Sequence, residues 1–458
     1  MIIFCLYSQV GRAYADLLRV ETLDTYHNFM KAIFPNLLTR LLFEDFADWL
    51  WDHFAKKHVP SDYLEELRGM RNASDQSTVL TVDVVSRRFN TLANLPADPQ
   101  NIITMLEQEL EKNVDPAIAH LLNRIIAALD HCSWCPKNDK GSPRLPTAPG
   151  CDSYAVWGSR TVQGRLFSSR NLDWNKDTGI GKHKLITVFH MTGVVAPYAT
   201  FGFSSGIGAM AGMNRAGITV SEMNLDNSLT TFDGPPFTLR LRMVLEGAAN
   251  LSVARAIWDA TNNTDSMNYL VASGHERDAF EIEAMRGFSA FFGANDSVEA
   301  AATCTVGTVG GGTCGTGYFP NAPANATKVH IGSPLAEVVW RTNHAFHPKL
   351  MRTQEPLFND TTFRYSLLRD QFVARQHRLI NDTDALEIAA ILGIKGRDFY
   401  SCDPSQFGHG DNIMSVVYAP HRQRPHAWVA FEDGAASEWR PAACNPYVLV
   451  DFEAAGLW

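Results

Sequence analysis

The character of the chain changes near residue 150, and this change constrains the possible folds more than any other feature. Upstream, apolar residues recur at helical spacing, and Asp98-Pro99 and Asp115-Pro116 have the pattern of a helix cap followed by proline. Downstream, short runs rich in β-branched and aromatic residues dominate. The sequence therefore predicts a helical segment up to about residue 131, followed by a segment that mixes strands and helices.

Three helices are predicted within the downstream segment, over residues 238–260, 364–376 and 384–393. Residues 303–317 are almost entirely glycine, threonine, valine and cysteine and follow neither a helical nor a strand period, so they predict a loop. Strands, then helices, then strands are typical of two sheets with helices outside, which is an α+β architecture.

A proline-rich linker separates the two segments. It carries Pro143, Pro146 and Pro149 between Lys137 and Gly150. Exposed stretches of this composition are preferred sites of chain cleavage. We therefore predict two units: residues 1–150, a helical prosegment or small subunit that ends in the linker, and residues 151–458, a catalytic domain.

Cys151 follows this linker directly and begins a strand pattern. A turn-like segment, 158–164, joins that pattern to a second one, so a hairpin is predicted to bring Cys151 beside Arg170 and Asp173. A thiol attacks as thiolate and needs a base or a cation nearby. Cleavage after Gly150 would provide an α-amine, whose reference pKa of about 7.7–8.0 suits a proton shuttle. Cys151 is the predicted nucleophile, with Arg170 supplying positive charge and Asp173 orienting the amine.

Four motifs occur in the order found in a known group of enzymes. They are Gly150-Cys151, Arg170-Asn171-Leu172-Asp173-Trp174, Gly212-Met213-Asn214-Arg215-Ala216-Gly217 and Arg341-Thr342-Asn343-His344. With them, residues 150–450 resemble the N-terminal nucleophile (Ntn) hydrolases of the choloylglycine hydrolase, penicillin acyltransferase and acid ceramidase group. The resemblance implies a four-layer αββα sandwich and autocatalytic cleavage between Gly150 and Cys151. Asp152 departs from it, because the group usually has threonine or serine directly after the cysteine.

The resemblance also assigns roles to three residues further along the chain. Asn224 is similar to the oxyanion asparagine, Asn343 to a second polar group at the nucleophile, and Arg364 to a downstream arginine. The alternative for an asparagine at a strand end is a turn residue. Asn214 is read as such a turn, and His344 as structural, since the α-amine already supplies a base.

The predicted reaction is hydrolysis of a linear amide bond in a lipophilic N-acyl substrate, without metal or organic cofactor. Two alternatives stay open: an ester hydrolase of the phospholipase B-like type or an acyltransferase of the same fold, and an uncleaved, inactive scaffold. The predicted partners are the small-molecule substrate and the chain's own N-terminal fragment.

Sequons and cysteines predict a secretory route, with a secreted or a lysosomal or vacuolar destination. Seven Asn-X-Ser/Thr sequons begin at Asn72, Asn250, Asn262, Asn295, Asn325, Asn359 and Asn381. Apart from Cys151, and from Cys5 in an apolar start that is a poor signal peptide, six cysteines remain for disulfides. They are Cys132, Cys135, Cys304, Cys314, Cys402 and Cys444. The favoured pairs are Cys304–Cys314 and Cys402–Cys444, with Cys132 and Cys135 joined to each other or elsewhere.

Charge and hydropathy bear on the remaining partners. The net charge is −9, and no block of lysine or arginine stands out, which argues against nucleic acid as a partner. No run of eighteen apolar residues predicts a membrane span. The amphipathic pattern over residues 24–59, with a break at Pro35, fits a helix that packs in the core, and contact with a membrane surface stays open as the alternative.

Overall fold

A computed structural model describes residues 2–74, 80–95, 99–112, 114–130, 150–225, 227, 229–306, 314–315, 328–354, 359–395, 402 and 411–458. Within these ranges the chain is a mixed helix and sheet protein with largely antiparallel sheets, as the predicted α+β class requires. Cys132, Cys135 and Asn325 lie outside the described residues.

The upstream segment is helical from residue 7. Its described helices are α1 (Tyr7–Ile33), α2 (Leu37–His53), α3 (Ser61–Ala73), α4 (Val82–Leu92), α5 (Pro99–Leu110) and α6 (Pro116–Asp130). Pro35 separates α1 from α2, where Asn36 caps α2 through the main-chain N–H of Leu38 at 2.8 Å. At the predicted start of α6, the Asp115 carboxylate accepts the N–H of Ala117 at 2.8 Å. None of the described helices is long and apolar enough to cross a bilayer.

The larger of the described sheets has eight strands. In spatial order they are β1 (Ile2–Cys5), β4 (Lys184–Met191), β5 (Tyr198–Phe203), β6 (Ala211–Asn214), β7 (Ile218–Asn224), β8 (Met267–Ser273), β9 (Asp278–Met285) and β10 (Phe288–Phe292). The strands pair antiparallel except β1, which runs parallel to β4. The upstream segment therefore contributes an edge strand to this sheet.

The second sheet carries the predicted nucleophile. Its order is β14 (Val338–Arg341), β2 (Gly150–Val156), β3 (Phe167–Asp173), β15 (Asn412–Ala419), β16 (His426–Phe431) and β17 (Val448–Asp451). β2 and β3 pack against β7 and β8, so the two sheets meet face to face. Every residue of β2 and β3 is buried, as expected for strands that are covered on both faces.

Further helices cover the sheets. They are α7 (Phe237–Gly247), α8 (Leu251–Asp259), α9 (Ser297–Ala300), α10 (Pro348–Met351), α11 (Asn359–Ala374) and α12 (Asp382–Lys395). α7 packs on β6 and β7, and α8 on β8; α12 packs on β3 and β15, and α11 on β14.

Two predictions about local structure were wrong. The single helix predicted over 238–260 is two helices, because the Asn250 side chain caps a new helix by accepting the N–H of Val253 at 2.9 Å. The loop predicted over 303–317 contains β11 (Thr303–Val306) and β12 (Cys314–Gly315), which form a small sheet with β13 (Lys328–His330). Pairing with β13, which lies far along the chain, overrides the weak local strand signal.

Candidate active site

The register of β2 and β3 determines which side chains surround Cys151. Cys151 pairs with Leu172, and Gly150 pairs with Asp173. Because successive side chains of a strand point to opposite faces, Arg170 lies on the same face as Cys151. That face meets the eight-stranded sheet, where the Nη2 of Arg170 donates to Glu222 Oε1 of β7 at 2.5 Å. The predicted hairpin thus brings Cys151 and Arg170 together between the two sheets.

The Cys151 thiol is fully buried and, among the described cysteines, it is the free one. Burial raises the pKa of this thiol to about 12, and the Glu222 and Asp173 carboxylates also raise it. Arg170 lowers the pKa by its charge and by a hydrogen bond to the sulfur, but the effect of burial is larger. In the intact chain, Arg170 therefore opposes the effect of burial on the thiol pKa without reversing it.

Glu222 belongs to the site and was missed at the level of sequence. Its side chain and that of Arg170 are almost completely buried as an ion pair. A buried arginine requires such a partner, since an unpaired charge between two sheets costs several kcal/mol. The available signal was a lone acidic residue inside the apolar strand pattern that ends at Asn224.

Asn343 lies at the centre of the hydrogen bonds around Cys151. Its Oδ1 accepts the main-chain N–H of Cys151 at 2.9 Å, and its Nδ2 donates to the main-chain carbonyl of Asn224 at 2.7 Å. The predicted Asn343 and Asn224 are thus brought together with Cys151. A cut after Gly150 would turn the Cys151 nitrogen into an amine, and Asp173 was predicted to orient that amine. In the intact chain, however, this nitrogen is bound by Asn343.

Arg364 of α11 joins the same group. Its Nη1 donates to the Cys151 carbonyl oxygen at 2.5 Å, and its Nη2 donates to Asn343 Oδ1 at 2.7 Å. Arg364 is buried, and its guanidinium lies 3.6 Å from the Asp152 carboxylate. Arg364 thus binds both the main chain of Cys151 and the Asn343 side chain beside it.

Asp173 lies across the sheet from the predicted cleavage site. It is buried and pairs with Gly150, and its Oδ1 accepts a hydrogen bond from Asn412 Nδ2 at 2.8 Å. Asn412 belongs to β15, some 240 residues further along the chain. No motif in the sequence connects it to Asp173.

His344 and Asn214, which were not predicted to take part in catalysis, are both buried. The ring of His344 is fully buried, which lowers its pKa to about 3, and its Nδ1 lies 2.9 Å from the Thr361 hydroxyl. The Asn214 side chain is buried and makes three hydrogen bonds, to the carbonyls of Leu245 and Ala248 and to the N–H of Ile218. It braces β6 against α7 and does more than form a turn.

Many solved structures are similar to this chain, and three of them come from two kinds of protein. One is an N-acylethanolamine-hydrolyzing acid amidase ortholog from Caenorhabditis elegans, with 16% identity, a TM-score of 0.38, and coverage of 59% of this chain and 93% of that one. The others are two variants of the conjugated bile acid hydrolase from Clostridium perfringens, each with 11% identity and coverage of 67% of this chain and 94% of that one, at TM-scores of 0.38 and 0.39.

Both kinds belong to the group that the sequence resemblance named, and both are amide-cleaving hydrolases. No protein-family model matches the chain, and no curated protein sequence does. The chemistry proposed below rests on the residues around Cys151.

The structure also bears on the predicted modifications. Cys402 is joined to Cys444, the pair that the sequence analysis favoured. Cys304 is disulfide-bonded as well, while the side chain of Cys314 lies outside the described residues.

Among the predicted sequon asparagines, four are exposed and Asn250 is half-buried; the exposed ones are Asn72, Asn262, Asn295 and Asn381. The Asn359 side chain is outside the described part. Within that part, no group of three or more acidic, histidine or cysteine side chains is arranged to hold a metal ion.

Proposed function

We propose that this protein is an autocatalytically processed cysteine Ntn hydrolase that cleaves a linear amide bond in a lipophilic N-acyl substrate. The observation that supports it most is the pair of contacts at Cys151. The thiol lies beside Arg170, and the main-chain nitrogen of the same residue is bound by Asn343 at 2.9 Å. A residue that must act both as nucleophile and, once freed, as amine base needs both of these contacts.

Self-cleavage would use the Gly150–Cys151 peptide bond. The Cys151 sulfur attacks the Gly150 carbonyl carbon, and the thiol proton passes to the Cys151 nitrogen as the C–N bond breaks and a C–S bond forms. Water then hydrolyses the thioester, which gives a Gly150 carboxylate and a free thiol. Asn343 and Arg364 hold the nitrogen and the carbonyl of Cys151 on either side of its Cα during this exchange.

Turnover would repeat this chemistry on an external amide. The α-amine takes the thiol proton, the thiolate attacks the substrate carbonyl, and the amine returns the proton to the leaving nitrogen. Asn224 is assigned to the oxyanion, for which each donor is worth about 2.7–4 kcal/mol. Water then attacks the thioester with the same amine as base.

We further propose the four-layer αββα arrangement and a 1–150 fragment that stays bound after cleavage. Packing of helices on both outer faces of the paired sheets supports the first. A buried ion pair across the boundary supports the second: Arg242 Nη2 of α7 donates to Glu66 Oε2 of α3 at 2.6 Å, and Tyr63 donates to Glu246 at 2.8 Å. Separating the fragments would leave Arg242 without this partner.

A secretory route with glycans and disulfides is part of the proposal. The exposed sequons and the Cys402–Cys444 bond support it. Treatment of protein from a eukaryotic host with a glycosidase should increase gel mobility. Unchanged mobility together with free thiols at Cys402 and Cys444 would contradict this route.

A panel of matched N-acyl amides and esters with short and long acyl chains tests the reaction. We expect turnover of long-chain amides by the cleaved protein and none by Cys151→Ala. Preferential turnover of esters would favour the phospholipase B-like alternative, and acyl transfer to an added amine would favour the acyltransferase. A single uncleaved band without turnover would favour the inactive scaffold.

A further inference from the structure

Asp152 is the residue at which the chain departs from the hydroxyl side chain that its resemblance implies. It pairs with Asn171 across β2 and β3, and its side chain lies on the face opposite to the Cys151 thiol. That face meets α12, where Asn171 Nδ2 donates to the Ala389 carbonyl at 3.0 Å. Asp152 is therefore behind the nucleophile and does not contact the space where a substrate carbonyl would meet the sulfur.

The two carboxylate oxygens of Asp152 have different surroundings. Oδ1 accepts a hydrogen bond from Asn171 Nδ2 at 2.8 Å. Oδ2 is buried and accepts no hydrogen bond among the described residues, but it lies 3.6 Å from Arg364 Nη1. The same Nη1 donates to the Cys151 carbonyl. One side of the guanidinium is thus shared between the nucleophile's main chain and the neighbouring carboxylate.

Several charged or titratable groups face Asp152 from the elements around it. Asp173 comes from β3, Arg364 from α11 and Tyr447 from the segment before β17, while the charge of Arg170 acts on Asp152 from the other face of β3. Burial raises the pKa of Asp152 to about 7, with Asp173 adding to the rise and Arg364 opposing it. A serine or threonine at this position would carry no charge, whereas the carboxyl of Asp152 can gain or lose one.

We propose that Asp152 is a positioning residue that holds Arg364 by its ionised carboxylate and, through Arg364, fixes the Cys151 carbonyl and the Asn343 amide. The inference rests on the proposed function, since it concerns the same nucleophile. A neutral residue would leave the buried Arg364 guanidinium with one negative charge fewer beside it. Asp152 would also raise the pKa of the α-amine released by cleavage, because a nearby negative charge favours the protonated amine.

The Asp152→Asn variant separates these effects from simple packing, because it keeps the shape of the side chain. It should lower kcat by about 10- to 100-fold, the range expected when reacting groups lose their alignment, with little change in KM. The limb of the pH profile that reports the amine should move to lower pH. Asp152→Glu should restore part of kcat and the original limb. Asp384→Asn is the matched control, since Asp384 of α12 is buried, forms an ion pair with Arg375 and does not touch the site.

An activity-independent measurement keeps this inference separate from the proposed function. In a Cys151→Ala background, which leaves the chain intact, Asp152→Asn and Arg364→Met form a double-mutant cycle read by chemical unfolding. We expect a favourable coupling at about pH 8, where Asp152 is ionised, and a smaller coupling at about pH 5. Coupling that is absent, or equal at both pH values, would overturn the positioning role even if the protein hydrolyses amides. Clear pH-dependent coupling in a protein without turnover would contradict the proposed function and leave the Asp152–Arg364 interaction standing.

Discussion

Replacing Asn343 by alanine is the perturbation that discriminates best between a structural and a catalytic role for the contacts around Cys151. The change removes three hydrogen bonds, with the Cys151 N–H, Arg364 Nη2 and the Asn224 carbonyl as partners. At about 1 kcal/mol net for each, the free energy of unfolding should fall by about 3 kcal/mol. Because the Cys151 nitrogen loses its acceptor, self-cleavage should slow far more than this loss of stability explains.

Asn214→Ala is the matched control for that experiment. Asn214 also makes three side-chain hydrogen bonds to the protein, but these brace β6 and do not reach Cys151. Urea unfolding of both variants in the Cys151→Ala background gives the stability cost, and gel analysis of both with the native cysteine gives the cleavage rate. Similar stability losses with cleavage lost only in Asn343→Ala are expected. Equal cleavage rates in the two variants would refute the role given to Asn343.

Three more predictions address the site and its surroundings. Asn224→Ala should fold and still self-cleave, because Asn343 binds the main-chain carbonyl of Asn224 and not its side chain. Its kcat should fall about 10²–10³-fold, because a donor to the oxyanion is lost. An unchanged kcat would show that Asn224 is not part of the oxyanion site. Glu222→Gln should lower the pKa of the Cys151 thiol, since the carboxylate raises it, so the rising limb of self-cleavage against pH should move to lower pH. Burial lowers the pKa of His344 to about 3, so below about pH 6.5 the unfolded chain binds more protons than the folded chain. The contribution of the neutral ring to stability is therefore lost as pH falls. When unfolding midpoints are measured against pH, this loss should occur in the native sequence and not in His344→Gln.

Local signals in the sequence were sufficient to predict the hairpin that carries Cys151. A proline-rich linker, a cysteine and a strand pattern predicted that Cys151 and Arg170 would meet, and the register of β2 and β3 gives that result. Likewise, Pro35 and the Asp115-Pro116 pair marked helix boundaries, because proline limits the backbone wherever it occurs.

Partners that lie far apart in the chain could not be predicted in the same way. Glu222 meets Arg170 only because the two sheets pack face to face, and Asn412 reaches Asp173 only through the pairing of β15 with β3. The net effect of these neighbours and of burial on the thiol pKa could not be predicted from the sequence either. Sequence gives the sign of each neighbouring charge, whereas the burial that outweighs Arg170 is a property of the folded chain.

The central claim is that the chain cuts itself before Cys151, and the N-terminal residue of the downstream fragment tests it most directly. Purified native protein and Cys151→Ala should be incubated under the same conditions and analysed by intact mass and N-terminal sequencing. The account predicts two fragments from the native chain, with the larger beginning at Cys151, and a single full-length chain from the variant. A larger fragment that begins at any other residue, or equal cleavage of the variant, would contradict it.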